Sequence, residues 1–285
     1  MSGDRRSSRL WISTLAGVTA CIGALAAAPA HAADLLDKVR QQKTLTIGTS
    51  NDAPLSYIDS KTNEAAGALS DVLREFLKRQ GIDAKLVVVA MPFASLIPSI
   101  QSGRIELIGD AMYIRPARKE VIDFTDTTFY NPESLDVAKG NPKKLHQLAD
   151  LCGHSAGTYE GTAYVEQLKK TAQQCPAGKP LELKQYPTIQ NVFADLSAGR
   201  LDAAVVDASL SAYALNQQPD LAFELVPDYR PEEKATSNCA FGIAKGNDGF
   251  LKAFNATYAE MKKDGAAAKI FTKWGLTPTD FFLNP

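Results

Sequence analysis

The chain has 285 residues, of which 45% are hydrophobic and 22% charged, and its formal net charge is −1. This length is sufficient for two domains with apolar cores, and the composition is that of a globular protein. A mildly acidic chain lacks the basic surface that nucleic-acid binding requires, so we expect no nucleic-acid partner.

The first 32 residues have the layout of a secretory signal peptide. Three arginines precede an apolar run at 10–28, and the small-residue cleavage site AHA follows at 30–32. A transmembrane anchor is one alternative. Lipidation is another, because VTAC ends at Cys21, but the residues after it stay apolar instead of forming a polar tether. We expect a mature chain that begins near Ala33 in the periplasm, with a net charge of −3 after loss of three Arg and one Asp.

Strands and helices alternate along the first part of the mature chain. The predicted elements are a strand TLTIGTS (44–50), a helix ALSDVLREFLKRQG (68–81), a strand AKLVVVAM (84–91), a helix FASLIPSIQSG (93–103) and a strand IELIGDAM (105–112). Strands separated by helices of this length favour α/β layering around a largely parallel sheet.

The same alternation then starts again. The predicted elements are a strand SAGTY (155–159), a helix GTAYVEQLKKTAQQ (161–174), a strand LELKQYP (181–187), a helix TIQNVFADLSAG (188–199) and a strand LDAAVVDAS (201–209). SGRIELIGDA (102–111) resembles AGRLDAAVVDA (198–208): in both, a helix ends at Gly-Arg and a buried strand ends in Asp-Ala. We therefore expect two similar α/β lobes.

The end of the chain adds one more strand and helix. FGIAKGN (241–247) reads as a strand that runs into turn residues, and FLKAFNATYAEMKKDG (250–265) is an amphipathic helix. The stripe of Phe250, Phe254, Tyr258 and Met261 on this helix is interpreted as core and not as a ligand site.

Three cysteines remain after the predicted cleavage. Cys152 and Cys175 bracket a predicted helix, so in an exported protein they are expected to form a disulfide, which leaves Cys239 as a buried free thiol. Three cysteines without CxxC spacing, together with His146 and His154 in a polar loop, do not form a metal-ligand set. We expect no metal, no cofactor and no thiol chemistry.

Five segments resemble, in order, motifs of one known family. They are PLSYID (54–59), RPARKEVIDFTD (115–126), DLCG with AGTYEGTAYVE (150–166), AGRLDAAVVDASLSAY (198–213), and FGIAKGN with MKKDGAAAKIFTKWG (241–275). Together they resemble the family-3 extracellular solute-binding proteins, the periplasmic amino-acid-binding components of ABC transporters. The resemblance covers nearly the whole mature chain.

This resemblance implies an α/β fold of the periplasmic-binding-protein, or Venus-flytrap, type, with two Rossmann-like lobes. Residues 33–129 and 242–285 are expected to form lobe one. Residues 132–236 are expected to form lobe two. Hinge crossings are expected near 130–131 and 237–241.

The resemblance also implies a ligand clamp. Arg118 aligns with the arginine that binds a ligand α-carboxylate, and a planar guanidinium suits that role. Gly161 and Thr162 align with a Gly-Thr pair that meets the same carboxylate at a helix N-terminus, although Thr162 could also be a plain N-cap. Asp207 aligns with the aspartate that accepts the α-ammonium, and Ala111 with a residue whose carbonyl does the same.

Three positions depart from the family's commonest pattern. Tyr113 replaces a Ser or Thr hydroxyl, Asp52 lies near the position of an aromatic that stacks on the ligand, and Asp110 replaces a small polar residue. The two added carboxylates indicate a cationic or strongly hydrogen-bonding ligand; alternatively, Asp52 caps a loop and Asp110 pairs with a neighbouring base. Arg115 and Lys119 are interpreted as solvated surface charges.

The expected function is the binding of an amino acid or amino-acid-like zwitterion by a monomer, whose closed form a membrane permease recognises. No enzymatic activity is expected. One alternative is a secreted dehydratase of the cyclohexadienyl type, with Glu160, Asp52 or Asp110 as general acid. The others are an accessory protein of a periplasmic oxidoreductase and the extracellular domain of a sensor.

Overall fold

The computed structural model describes residues 33–231 and 237–276. The predicted signal peptide, including Cys21, lies outside the described residues. Among the helices of the described ranges, none is both long enough and apolar enough to cross a membrane.

Nine α-helices occur in the described residues. They are α1 (Leu35–Gln42), α2 (Ala68–Arg79), α3 (Leu96–Gln101), α4 (Pro116–Lys119), α5 (Ala163–Gln174), α6 (Ile189–Ser197), α7 (Ala208–Gln217), α8 (Asp248–Lys263) and α9 (Ala266–Lys273). All helices that the sequence pattern predicts are among them. Pro98 is tolerated because it lies in the first turn of α3, where a backbone N–H has no intrahelical partner.

The strands form two large sheets and one hairpin. They are β1 (Thr44–Thr49), β2 (Tyr57–Ile58), β3 (Ala65–Ala66), β4 (Lys85–Ala90), β5 (Leu107–Tyr113), β6 (Asp123–Phe124), β7 (Phe129–Tyr130), β8 (Glu133–Ala138), β9 (Ser155–Tyr159), β10 (Glu182–Tyr186), β11 (Ala203–Asp207), β12 (Phe223–Leu225) and β13 (Asn238–Ile243). β2 and β3 make the hairpin.

The first large sheet has the strand order β4–β1–β5–β13–β6, and β7 also pairs with β13. β1 is parallel to β4 and β5, whereas β13 is antiparallel to β5, β6 and β7. The second sheet has the order β10–β9–β11–β8–β12, in which β9 is parallel to both its neighbours and β8 is antiparallel to both of its own. The prediction of a largely parallel sheet is therefore wrong for three of the five strand pairings in the first sheet and for two of the four in the second. Strand direction depends on how distant segments return, which a local pattern does not encode.

The two sheets define two α/β lobes. Helices α1 to α4, α8 and α9 pack with the first sheet to form lobe one, and α5 to α7 pack with the second sheet to form lobe two. The chain leaves lobe one after β7 and returns into β13, where Asn238 pairs with Tyr130, so the two crossings lie side by side. The residue-level lobe boundaries given above stay a prediction.

The two resembling segments occupy equivalent places in the two lobes. Gly103 and Gly199 follow α3 and α6 with φ of 72° and 67°, the left-handed region in which glycine is favoured. The strands that follow, β5 and β11, each have one parallel and one antiparallel neighbour. β11 ends at Asp207, whereas β5 continues three residues past Asp110.

The aromatic stripe on α8 belongs to the core of lobe one, as predicted. Phe250, Phe254, Tyr258 and Met261 are all buried. The ring of Phe76 on α2 meets those of Phe250 and Phe254 edge-on, with centroids 5.3 and 5.2 Å apart. Such contacts add to the free energy gained by burying the rings.

The cysteine predictions are confirmed. Cys152 and Cys175 form a disulfide that joins the segment before β9 to the residue that ends α5. Cys239, in β13, is a buried free thiol.

β8 and α7 are among the elements near the lobe interface that were not predicted from the sequence. β8 is almost entirely buried, but it contains Glu133 and Asp136, and these charged residues interrupt the apolar pattern by which a buried strand is recognised in a sequence. α7 follows β11 directly, and Asp207 occupies the N-cap position of α7, so no turn residues in the sequence mark where the helix begins.

Candidate functional site

Arg118 extends from lobe one to lobe two. It lies on α4, a single turn after β5 that begins at Pro116, whose fixed φ suits a first helical position. The guanidinium donates from Nη1 to the carbonyl of Tyr113 at 2.8 Å and from Nη2 to the carbonyl of Gly161 in lobe two at 3.0 Å. It also lies 5.5 Å from the ring centroid of Phe93, within cation–π range. Burial lowers the pKa of Arg118, but an arginine remains protonated at physiological pH.

Asp207 lies at the carboxyl end of β11 in lobe two and is buried. Its Oδ2 accepts a hydrogen bond from the Tyr159 hydroxyl at 2.5 Å, and its Oδ1 accepts from the Tyr164 hydroxyl and from Asn131 Nδ2, both at 2.8 Å. Burial raises the pKa of Asp207 to about 6, and the tyrosine hydrogen bonds oppose that rise. No basic side chain of the described residues forms an ion pair with it, so its negative charge is balanced by dipoles alone.

The backbone of Gly161 lies close to the backbone of Ala94 in the other lobe. Its φ is +79°, and a Cβ at this position would lie 2.7 Å from the Cα of Ala94 in lobe one. Any other residue would therefore be strained and would push the lobes apart. The sequence analysis attributed Gly161 to ligand binding alone and did not predict this contact.

Thr162 occupies the N-cap position of α5 but does not cap the helix with its side chain. Its hydroxyl instead donates to the carbonyl of Tyr159 at 2.8 Å. The plain N-cap alternative is therefore wrong, and the first N–H groups of α5 lack a side-chain acceptor from Thr162. They remain directed toward the lobe interface at the positive end of the helix dipole.

Five of the predicted ligand residues line one small cavity between the lobes. They are Arg118, Asp207, Thr162, Ala111 and Tyr113, and they are joined there by Phe93, Tyr159, Ala163 and Tyr164. The cavity volume is about 10 Å³, which is room for a single water molecule. Positive and negative side chains from opposite lobes thus meet around the same small space.

Three tyrosines fill most of the volume around this cavity. Tyr113 donates to the carbonyl of Asn131 at 2.5 Å and lies 2.7 Å from the hydroxyl of Tyr164, and the ring of Tyr159 packs edge-on against Phe93. Burial, and next the Asp207 carboxylate, raise the pKa values of all three well above the usual range for tyrosine. Tyr159 and Tyr164 were not predicted as site residues, although both lie within three residues of Gly161.

Asp52 and Asp110 do not line the central cavity. Asp110 Oδ2 accepts from the backbone N–H of Ser50 at 2.6 Å and contacts its hydroxyl at 2.5 Å, and Oδ1 accepts from the N–H of Ala111 at 2.7 Å. Asp52 contacts the same Ser50 hydroxyl at 2.5 Å and accepts from Gln190 of lobe two at 3.3 Å. Among the described residues Asp110 pairs with no base, so that alternative is wrong, whereas Asp52 does close its loop, because its backbone carbonyl accepts from the N–H groups of Leu55 and Ser56.

The two basic neighbours of Arg118 differ from each other. Lys119 is exposed, as predicted, but Arg115 is half-buried, so its interpretation as a solvated charge is wrong. Arg115 lies close enough to contribute to the lowered pKa of Arg118. Its position before Pro116 keeps it beside the lobe surface and not out in solvent.

Comparison with known proteins agrees with the two-lobed fold. The two-lobed architecture is that of the periplasmic binding proteins. The model of the bacterial extracellular solute-binding proteins, family 3, matches residues 45–277, and the chain belongs to this family.

Two curated relatives illustrate the similarity. The L-cystine-binding protein TcyJ of Escherichia coli (strain K12) is 27% identical over 84% of this chain and 85% of its own length. The lysine/arginine/ornithine-binding periplasmic protein of the same strain is 28% identical over 94% of this chain and 96% of its own.

Two solved structures have the same fold. An ancestral arginine-binding protein bound to glutamine has a TM-score of 0.72 and 30% identity, covering 82% of this chain and 98% of its own. The ancestral amino acid-binding protein AncCDT-1, a precursor of cyclohexadienyl dehydratase, has a TM-score of 0.72 and 25% identity, covering 85% and 99%.

Proposed function

We propose that this protein binds an amino acid, or an amino-acid-like small zwitterion, in the periplasm and delivers it to an ABC-type importer. The observation that carries the proposal is the pair Arg118 and Asp207, a cation from lobe one and an anion from lobe two around one cavity. A zwitterion has the complementary pair of charges. The family match and the amino-acid-binding relatives support the same ligand class.

The chemistry of the clamp supports a carboxylate at Arg118. Both of its Nη atoms donate to neutral carbonyls, those of Tyr113 and Gly161. A ligand carboxylate would accept the same two N–H bonds with the added attraction of opposite charge, which roughly doubles the strength of such a bond. The free N–H groups at the start of α5, beside Thr162, favour an anion at the same place.

The surroundings of Asp207 support an ammonium group. Its oxygens accept bonds from Tyr159, Tyr164 and Asn131, all neutral donors. An ammonium that replaces one of these donors would supply the missing positive charge to a buried carboxylate. The backbone carbonyl of Ala111, at the same cavity, is a further acceptor for the ammonium.

Ligand entry requires the lobes to separate, because about 10 Å³ does not hold an amino acid. The contacts between lobes at Arg118 and Gly161 would open and close again around the ligand. A ligand that touches both lobes adds interactions only in the closed form and so shifts the equilibrium toward it. We propose that a membrane permease recognises this closed form, and that the protein acts as a monomer.

Binding without catalysis is the function that we propose. Of the carboxylates suggested as a general acid, Glu160 is exposed and neither Asp52 nor Asp110 lines the cavity. The carboxylate that does line it, Asp207, is already engaged by three hydrogen bonds. A dehydratase would need a carboxylic acid free to reach the substrate.

The test is calorimetry on clamp variants, with a ligand first found by a thermal-shift screen of amino acids. Arg118→Ala and Asp207→Asn should each weaken binding by about 2–5 kcal/mol, since each leaves a ligand charge unpaired in a desolvated cleft. That corresponds to a loss of roughly thirtyfold to several thousandfold in affinity.

Lys119→Ala is the matched control, because Lys119 is an exposed cation on the same turn. Its affinity should equal that of the wild type. If Arg118→Ala binds normally while Lys119→Ala does not, the clamp as proposed is wrong.

A further inference from the structure

The acidic pair of Asp52 and Asp110 shares one hydroxyl donor between two carboxylates. The two side chains are only 2% and 4% exposed. Ser50 Oγ lies 2.5 Å from Oδ2 of each, but a hydroxyl carries one proton and can donate to only one of them. Among the described residues, no Lys, Arg or His forms an ion pair with either carboxylate. One of the two short contacts is therefore without a donor whenever both groups are ionised.

A second polar group beside the pair has no partner. Ser56 is fully buried, and its Oγ forms no hydrogen bond with any described residue. Ser56 forms an antiparallel bridge with Asp52. Residues directly opposite each other in such a bridge point to the same side, about 5 Å apart at Cβ. The unpaired hydroxyl of Ser56 is therefore directed to the side of the Asp52 carboxylate.

The pair adjoins residues of both the clamp and a larger space. Asp110 directly precedes Ala111, which lines the central cavity. Asp52 lines a cavity of about 450 Å³ between the 51–53 loop and helices α6 and α7. The walls of that cavity include Ile189, Phe193 and Leu210 and no Lys, Arg or His. A ligand side chain that extends from the central cavity into this larger space would thus find both a carboxylate and apolar surface there.

We propose that Asp52, Asp110 and Ser56 bind a cationic group on the ligand side chain, so that the ligands are amino acids or analogues with a side-chain ammonium or guanidinium. This inference rests on the proposed zwitterion clamp and goes further. In that clamp Arg118 balances the ligand carboxylate and Asp207 the ligand ammonium, which leaves the acidic pair uncompensated. A third, positive ligand charge would supply N–H donors to both carboxylates and to the Ser56 oxygen, whereas a neutral side chain would leave the two carboxylates buried with only neutral donors.

The first experiment compares charged ligands with neutral ligands of the same shape on the purified wild-type protein. L-Arginine is measured against L-citrulline, and L-lysine against L-norleucine, by calorimetry at pH 7. We expect the cationic member of at least one pair to bind tighter by roughly tenfold to a hundredfold. Equal or tighter binding of both neutral analogues would overturn the inference.

The outcomes separate this inference from the proposed function. If neutral amino acids bind and Arg118→Ala abolishes their binding, the clamp stands and only the cationic subsite is wrong. If no amino acid of either charge binds, the proposed function itself fails, and the inference fails with it.

The second experiment assigns the preference to residues. Asp52→Asn should reduce arginine affinity by roughly tenfold or more and leave citrulline affinity nearly unchanged. Ser56→Ala, a smaller change, should also lower the ratio of arginine affinity to citrulline affinity. Asp83→Asn removes one exposed carboxylate from lobe one and controls for net charge. Equal losses for arginine and citrulline in Asp52→Asn would assign Asp52 a structural role and contradict the subsite.

Discussion

At the scale of single residues, four buried carboxylates form no ion pair with a basic side chain within residues 33–231 and 237–276. Asp52, Asp110 and Asp207 lie at or beside the cavity, and Asp136 lies in the core of lobe two. Burial is the largest cause of the raised pKa of each group. An ionised carboxylate in such a place lowers stability unless something compensates its charge. Near the cavity, a ligand can compensate the charge. The proposed function provides no such compensation for the charge of Asp136.

Asp136 makes stability depend on pH. Its Oδ2 accepts from Ser211 at 2.5 Å, and burial raises its pKa to about 7 from an ordinary value of 3.8. Between these values the folded state holds more protons than the unfolded state, so the free energy of unfolding falls as pH rises from about 4 to about 7. Asp136→Asn mimics the protonated acid. As pH rises across this window, its free energy of unfolding should increase relative to that of the wild type by on the order of a few kcal/mol.

Urea unfolding of the two proteins at pH 4.5 and at pH 8 measures this gain. Asp83→Asn, an exposed carboxylate, serves as the control and should show no such trend. A stability difference between wild type and Asp136→Asn that is the same at both pH values would contradict the assignment.

At the scale of elements, α5 connects the site to the disulfide. Its first turn supplies Tyr164 to the cavity and follows the Gly161–Thr162 pair, and its last residue is followed by Cys175. Cys175 is bonded to Cys152, which lies three residues before β9, the strand that leads to the same site. The bond therefore restrains the far end of the helix whose near end lines the cavity.

Removing this disulfide should destabilise the protein without abolishing the clamp. The bond spans a sequence separation of 23 residues, for which loop-closure entropy predicts a loss of about 3 kcal/mol in the free energy of unfolding. Urea titration of the Cys152→Ser, Cys175→Ser double variant measures the loss. Cys239→Ser leaves the Cys152–Cys175 disulfide intact and serves as the control.

Alkylation of the denatured full-length chain checks the pairing itself. Without reductant, only Cys21 and Cys239 should react, and all four cysteines should react after reduction. Reaction of all four without reductant would contradict the disulfide.

At the scale of the whole molecule, two lobes meet over a few specific contacts. Arg118 bonds to Gly161, Asp52 accepts from Gln190, and the ring of Phe93 meets that of Tyr159. The side-by-side crossings at Tyr130 and Asn238 connect the lobes in sequence. Such an arrangement allows hinge motion with little change inside either lobe.

The purified protein should therefore be a monomer that becomes more compact when its ligand binds. Small-angle scattering, with and without the amino acid that gives the largest thermal shift, measures the radius of gyration. The radius should decrease with ligand in the wild type and stay constant in Arg118→Ala, which loses the ligand. A scattering mass of two chains, or a wild-type radius that does not respond to saturating ligand, would contradict the prediction.

Much of the fold could be predicted from local pattern. The alternation of strands and helices, the stripe on α8 and the cysteine pairing depend on periodicity and spacing, which neighbouring residues carry in the sequence. The direction of β13 and the strand β8 could not be predicted in this way. β13 pairs with β5 across more than a hundred residues of chain, and β8 is a buried strand that contains charged residues. Both depend on partners that only the folded chain brings together.

The candidate site, too, could be predicted from the sequence only in part. Sequence motifs alone determined which residues are candidates, because Arg118, Gly161, Thr162 and Asp207 belong to segments that resemble a family's motifs. The tertiary structure decided what surrounds them. In the folded chain Tyr159 and Tyr164 donate to the Asp207 carboxylate, and the Gly161 backbone lies close to Ala94. Asp52 and Asp110 lie outside the central cavity and both contact the Ser50 hydroxyl. These contacts join residues that are far apart in the chain, and their energies depend on burial, which exists only after both lobes have folded.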